Sequence, residues 1–197
     1  MINENFIFVG TVILFLGNAS YLRDTIKGKI KPNRVSWLLW TIAPLIAFAA
    51  EIKQGVGLQS LTTFMVGFLP LLIFLSSFVD KKAYWKLGRL DIICGILSVI
   101  GLILWAITRV GNIAIFFSIL ADGLAALPTI VKSYKEPETE NYLVYLAGLI
   151  ASAITLLTIK DWKLEQFGFP LYILVVDVIL FVSIKFRIGK IFNGQIN

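Results

Sequence analysis

The strongest constraint on this chain is a series of apolar runs, each about 20 residues long, that recur along its 197 residues. A helix of that length spans the roughly 30 Å hydrocarbon core of a bilayer. In water the runs would need a core to bury them, and a soluble domain of this size has too much surface for its volume. Apolar residues make up 58% of the chain and charged residues 15%, against about 45–50% and about a quarter in soluble domains. Lipid is the solvent that absorbs the excess. The runs do not alternate apolar with polar and are too long for barrel strands, which argues against a transmembrane β-barrel. The expectation is an all-α membrane protein.

Helices are read at 5–27, 34–53, 58–80, 87–108, 110–134, 139–160 and 164–187, with a very short fourth connection around Arg109-Val110-Gly111-Asn112. No long linker or low-complexity stretch interrupts them, so 1–197 reads as a single transmembrane domain. Residues 1–5 carry no basic side chain, as a cleavable signal peptide would need, so the first run is expected to persist as a helix. Loop charge sets the orientation. Arg23, Lys27, Lys29, Lys31 and Arg34 follow the first run. Lys81, Lys82, Lys86 and Arg89 follow the third, Lys132 and Lys135 the fifth, and Lys185, Arg187 and Lys190 the seventh. Only Lys53, Arg109, Lys160 and Lys163 fall on the other side, a division of fourteen against four of the 18 basic residues. The positive-inside rule then gives a plasma (inner) membrane protein with its N-terminus outside and its C-terminus cytoplasmic. Seven crossings satisfy that parity.

The halves resemble one another. A shift of 105 positions aligns Lys27 with Lys132, Pro32 with Pro137, Trp37 with Tyr142, Leu38 with Leu143 and Trp40 with Tyr145. This predicts a first three-helix repeat over 5–80, a linker helix over 87–108 and a second repeat over 110–187. An odd linker helix returns the second triplet to the orientation of the first, so the repeats are parallel. The segment from Asp122 to Glu140 carries small residues, then Leu127-Pro128-Thr129, a basic stretch and a short loop with Thr139. It resembles the PQ-loop superfamily, which includes the SWEET and SemiSWEET sugar transporters. Thr129 stands where the family has Gln, and Tyr21-Leu22-Arg23-Asp24 occupies the corresponding place in the first half. The resemblance implies a SWEET-like fold of seven helices in a 3+1+3 order and transport of sugars or amino acids. It also implies a central site to which the third helix of each repeat contributes. A fold relative, the KDEL receptor type, binds peptides instead.

Few residues can carry chemistry. The chain has no His and one Cys, Cys94, which removes His-based acid–base catalysis, His metal sites and intrachain disulfides. No nucleophile–base pair or phosphate-binding Gly loop appears, so no enzyme and no cofactor are expected. A carboxylate at mid-helix costs about 2.5–3.5 kcal/mol on insertion scales, so it should face a cavity or a partner. Asp122 and Asp177 are the two such residues. Ser118 and Thr129 share a helical face with Asp122, and Pro128 lies beyond it as a hinge. Asp177 sits at the depth where the resemblance implies a polar site residue. Asn18 is a third polar residue at depth, with Thr11 and Tyr21 on its face. Asn18, Asp122, Asp177 and Ser118 are the expected substrate-binding residues. Trp40 and Tyr145, with Pro44 and Pro128, are the expected gate or hinge. Trp37 and Tyr142 read as interfacial belt aromatics. Glu51 reads as solvated near the outer surface, and Gly10 and Gly17 suggest close helix packing.

The leading expectation is a transporter of a small polar solute working by alternating access. A receptor or binding protein of the same fold and an ion channel are the alternatives. Expected partners are the lipid bilayer and a small-molecule substrate, with protons if transport is coupled. Nucleic acid is not expected, and a homo-oligomer is left open. With no His to carry protons near neutral pH, any coupling falls to a carboxylate, and Asp122 has the polar neighbours and the hinge for it.

Overall fold

Asn33 and Asn141 set where two of the helices begin. The side-chain oxygen of Asn33 accepts from the backbone N–H groups of Val35 and Ser36, and that of Asn141 accepts from Leu143, satisfying amides that the first helical turn leaves unpaired. The computed structural model describes residues 2–80, 85–108 and 111–192. Among these the chain is helical with no strand: α1 (Phe6–Ile26), α2 (Arg34–Lys53), α3 (Ser60–Ser76), α4 (Arg89–Thr108), α5 (Gly111–Lys135), α6 (Tyr142–Thr158), α7 (Leu164–Lys185) and the short α8 (Ile188–Phe192). A 3₁₀ turn, Pro137–Thr139, joins α5 to α6. Arg109 and Val110 of the short fourth connection, and the loop lysines Lys81 and Lys82, lie outside the described residues.

The expected boundaries for α2 coincide with the observed helix. α3 ends four residues earlier than expected, at Ser76 rather than at 80. There the Ser77 hydroxyl donates to the carbonyl of Phe74, the acceptor that the Phe78 N–H would use in a continuing helix. α6 starts at Tyr142 rather than 139, because the 3₁₀ turn at Pro137 and the Asn141 cap come first. α7 stops before Arg187, whose φ of 49° places it in the left-handed region typical just past a helix end. Asn33 and Asn141 are 108 positions apart, against the shift of 105 that aligns the two halves in sequence.

Among the described residues four helices are long and apolar enough to cross a membrane: Phe6–Ile26, Arg34–Lys53, Ile115–Lys135 and Leu164–Lys185. α3 and α6 are apolar but have 17 residues each, a length of about 26 Å. The outward faces suit lipid. Phe8, Val12, Phe15 and Leu16 on α1, and Ile92, Ile93, Ile96 and Ile107 on α4, are exposed. Soluble monomers seldom carry so continuous an apolar surface.

α3 packs between α1 and α2, and α7 packs between α5 and α6. α1 lies along α6, and α2 along α5. α4 touches α5 and one side of α2. The α1–α6 approach depends on small residues: a side chain at Gly17 would run into Ala147 and come within 3.0 Å of the Leu143 carbonyl, and one at Gly10 would meet Ala151 at 3.4 Å. Small-residue contacts of this kind let membrane helices approach closely. α5 is held in the stretch before Pro128 by side-chain donors from neighbours. Ser36 Oγ donates to the Ala125 carbonyl (2.6 Å), Trp40 Nε1 to that of Asp122 (3.4 Å) and Ser98 Oγ to that of Ala121 (2.7 Å). Pro128 removes one N–H from this helix, and hydroxyl donors from neighbouring helices are the usual compensation in a membrane segment.

Candidate functional site

Where the helices leave a gap, a cavity of about 70 Å³ opens, lined from α1, α2, α3, α5, α6 and α7 but not from α4. α1 contributes Leu14 and Asn18, α2 Trp37 and Trp40, α5 Asp122, α6 Val144, Tyr145 and Gly148, and α7 Ile173, Val176, Asp177 and Leu180, with Val66 and Pro70 from α3. Most of the wall is apolar, with a few polar atoms converging on it, the usual make-up of a small-molecule site.

The polar atoms are unevenly satisfied. Asp122 is 2% exposed. Its Oδ2 accepts from the Tyr172 hydroxyl at 2.7 Å, while Oδ1 has no partner. Asn18 donates Nδ2 to the Leu14 carbonyl at 2.9 Å, and its Oδ1 is unpaired. Asp177 is half-buried, and its carboxylate rests on the backbone of Gly148, where a Cβ would collide with it. No hydrogen-bond donor among the described residues reaches Asp177, and the charge of Asp122 acts on it across the cavity. Unpaired buried polar atoms of this kind cost about 1–3 kcal/mol each, and a recurring reason to retain them is a ligand or ordered water.

Three of the four expected substrate residues, Asn18, Asp122 and Asp177, therefore meet in one cavity. Ser118 is not among the lining residues. It is fully enclosed one turn from Asp122 towards the α5 N-terminus, so the shared helical face carries it past the end of the cavity. Trp40 and Tyr145 line the cavity. Pro44 and Pro128 do not; they lie buried inside α2 and α5. Tyr172, which fixes the Asp122 carboxylate, and Gly148, which makes room for Asp177, were missed from the sequence. An aromatic and a glycine inside apolar helices carry no local signal of such a role. Among the described residues no group of His, Cys, Asp and Glu is arranged to hold a metal ion.

No family model, curated protein or solved structure matches this chain.

Beyond the cavity, towards the end where the loop lysines gather, lies a second polar cluster. Lys132 Nζ pairs with Glu140 Oε1 at 2.5 Å, with the two side chains 1% and 0% exposed, and also donates to the Lys31 carbonyl. Glu140 Oε2 accepts from the hydroxyls of Tyr21 (2.8 Å) and Tyr145 (3.1 Å). One carboxylate thus ties α1, α5 and α6 together. Aromatic rings seal the same level: Tyr21 to Trp37, Trp37 to Trp40 and Trp40 to Tyr145, with centroids 4.6, 5.1 and 6.4 Å apart. This corrects two expectations. Lys132 belongs to α5 and is buried in an ion pair rather than standing in a solvated loop. Trp37 is 2% exposed inside this layer and not part of an interfacial belt. Tyr142 does lie nearer the surface, beneath the Lys185 ammonium at 4.3 Å.

At the opposite end Glu51 is also buried, not solvated: it is 2% exposed and accepts from Thr63 Oγ1 at 3.0 Å, because α3 folds back over the end of α2. Between α8 and the 3₁₀ turn, Lys190 donates to Glu138 at 2.9 Å, and that hydrogen bond holds the Glu138 carboxyl below the usual carboxylate range.

Proposed function

We propose that this protein is a membrane transporter that moves a small polar solute, a sugar, an amino acid or a molecule of similar size, by alternating access between two three-helix units, α1–α3 and α5–α7. The observation that carries the reading is the cavity itself. Two carboxylates and an amide converge there at mid-helix, with acceptor atoms unpaired in a medium where unpaired polar atoms are costly.

The packing pattern supports a repeat. Exchanging α1 with α5, α2 with α6 and α3 with α7 turns each interhelical contact of these six helices into another that is present: α1–α6 into α5–α2, α2–α3 into α6–α7, α1–α3 into α5–α7 and α3–α6 into α7–α2. α4 has no counterpart and stays at the periphery, as a linker in a seven-helix 3+1+3 arrangement would. In the orientation given by the basic loops, the Lys132–Glu140 layer closes the cytoplasmic side. Opening that side means separating α1 from the α5–α6 corner, and Pro44 and Pro128, each removing an N–H inside its helix, give α2 and α5 a place to flex.

Uptake into proteoliposomes tests the reading. The protein should accumulate a solute that also stabilises it against heat, since a ligand bound to the native state raises its stability by mass action. Binding without uptake would replace the transporter with a receptor of this fold, and unitary currents would replace it with a channel. Asp122→Asn, which keeps shape and hydrogen-bonding capacity but cannot titrate, should abolish any pH dependence of uptake. An unchanged pH profile would remove Asp122 from a coupling role.

A further inference from the structure

The cavity carries formal negative charge and no positive charge. Asp122 and Asp177 both line it, and among the described residues no Lys or Arg does. Lys132 is the buried ammonium in the layer beyond, and it is already committed to Glu140 and the Lys31 carbonyl. The hydrogen-bonding inventory is equally one-sided. Among the lining donors, the Asn18 amide is taken by the Leu14 carbonyl, the Trp40 indole by the Asp122 carbonyl and the Tyr145 hydroxyl by Glu140. The Trp37 N–H is the one lining donor left unpaired among the described residues. Free acceptors outnumber it: Asp122 Oδ1, Asn18 Oδ1 and the Asp177 carboxylate. The first two belong to residues only 2% and 6% exposed. The Asn18 assignment follows from chemistry, because its partner is a carbonyl, which can only accept. A site of free acceptors calls for a ligand rich in donors.

We propose that this cavity takes an organic cation, a small ammonium compound whose N–H groups are shared between Asp122 and Asp177, with Asn18 as a third acceptor. This names the substrate class for the transport reading above and rests on it. Two carboxylates facing one another in low dielectric repel strongly, and a cation between them relieves the repulsion. The aromatic wall favours an ammonium over an alkali ion. Trp37, Trp40 and Tyr145 offer ring faces that attract a desolvated organic cation, whereas a hard metal ion needs six or more oxygen ligands, and the described lining supplies about half of that. The apolar side of the cavity, with Val144 and Ile173, suits a hydrocarbon tail. At about 70 Å³ the space is several times the roughly 10–15 Å³ that one water needs, so a solute of a few heavy atoms fits without opening the helices. A neutral polyol would leave the two charges unpaired.

The test uses the full-length protein in detergent, with n-butylammonium as probe and butyrate, n-butanol and glucose as controls. Trp fluorescence and thermal unfolding should both report saturable binding of butylammonium. The three controls should give no saturable change, and sodium chloride at equal ionic strength should not reproduce the effect. Asp122→Asn and Asp177→Asn should each weaken butylammonium by about tenfold or more, the loss of one charged hydrogen-bond partner. Trp40→Phe should keep most of the affinity and Trp40→Ala should lose it. Should an Asp variant fail to fold, competition on the wild-type protein decides: ethylammonium should displace butylammonium, whereas tetramethylammonium, which has no N–H to share, should displace it poorly, and equal displacement by both would overturn the sharing of N–H groups. Equal binding of butyrate or glucose, unaltered affinity in a folded Asp variant, or reproduction by sodium chloride would overturn the proposal. A neutral solute taken up by proteoliposomes while butylammonium fails to bind sinks this inference and leaves transport standing. Butylammonium bound but never moved sinks transport and leaves the binding site.

Discussion

Glu140 offers the most informative single perturbation. Its carboxylate accepts from Lys132, Tyr21 and Tyr145 at 2.5, 2.8 and 3.1 Å, and it is fully buried. Glu140→Gln preserves the shape and one oxygen acceptor but leaves the Lys132 ammonium without a counter-charge. Breaking one partner of a buried ion pair costs about 3–5 kcal/mol, and Gln Oε1 should keep the loss near the lower bound. Against a native stability of about 5–15 kcal/mol, the folded-to-unfolded ratio falls by about two powers of ten or more. Lys132→Met should be comparably harmful, since it strands the carboxylate with only two phenolic donors. The double variant Lys132→Met/Glu140→Gln removes both charges and keeps an acceptor for the tyrosines, so it should recover at least half of the loss. Reversible unfolding in mixed micelles measures all three, and the cycle should give a coupling of about 2 kcal/mol or more. The double variant should also open the basic end more readily. A cysteine at Val144 should then react faster with a thiol reagent, with the native Cys94 silent because it is buried. Additive losses in the cycle, or a single-variant cost below about 1 kcal/mol, would refute the claim that this pair locks α1 to the α5–α6 corner.

Gly148→Ala should displace the Asp177 carboxylate, which occupies the space a Cβ would need, so solute binding should weaken strongly while the helical circular dichroism is kept; undiminished binding would detach Asp177 from the site. Gly17→Val should destabilise by about 1–3 kcal/mol by overpacking the α1–α6 contact, read as a lower unfolding midpoint. For orientation, cysteines at Lys29 should resist an impermeant thiol reagent in intact cells, while those at Gln54 or Lys163 should react; the reverse pattern would invert the topology. Acidification gives a fourth check. The Glu138 carboxyl sits below its ordinary value of 4.5 because Lys190 donates to it. Its contribution is therefore complete above that value and is lost as pH falls through the lower folded value. Because the pair is half exposed, the effect should be under about 0.5 kcal/mol. The protection factor of the α8 amides, which takes out the pH dependence of intrinsic exchange, should fall by up to about twofold on acidification through the lowered Glu138 value, and Glu138→Gln should show the lower factor already at neutral pH.

The sequence by itself determined the class of protein and most helix positions, because both depend on quantities summed locally along the chain. Run length against bilayer thickness placed the helices, and the start of α2 read from it coincides with the observed one. Insertion cost singled out Asp122 and Asp177 as residues that had to meet something, and both line the cavity. Tertiary structure alone decided what each meets. The helices are apolar nearly all round, so no amphipathic stripe reveals which face packs where. The pairing of Lys132 with Glu140 depends on a 3₁₀ turn that reverses the chain between them, and that of Tyr172 with Asp122 on two helices brought side by side. Trp37, Glu51 and Lys132 were read as surface residues for the same reason. Their positions near helix ends suggested water or interface, but neighbouring helices overlap those ends and bury them. Whether a charge near a terminus is solvated or paired depends on what covers it, and that covering comes from residues distant in the chain.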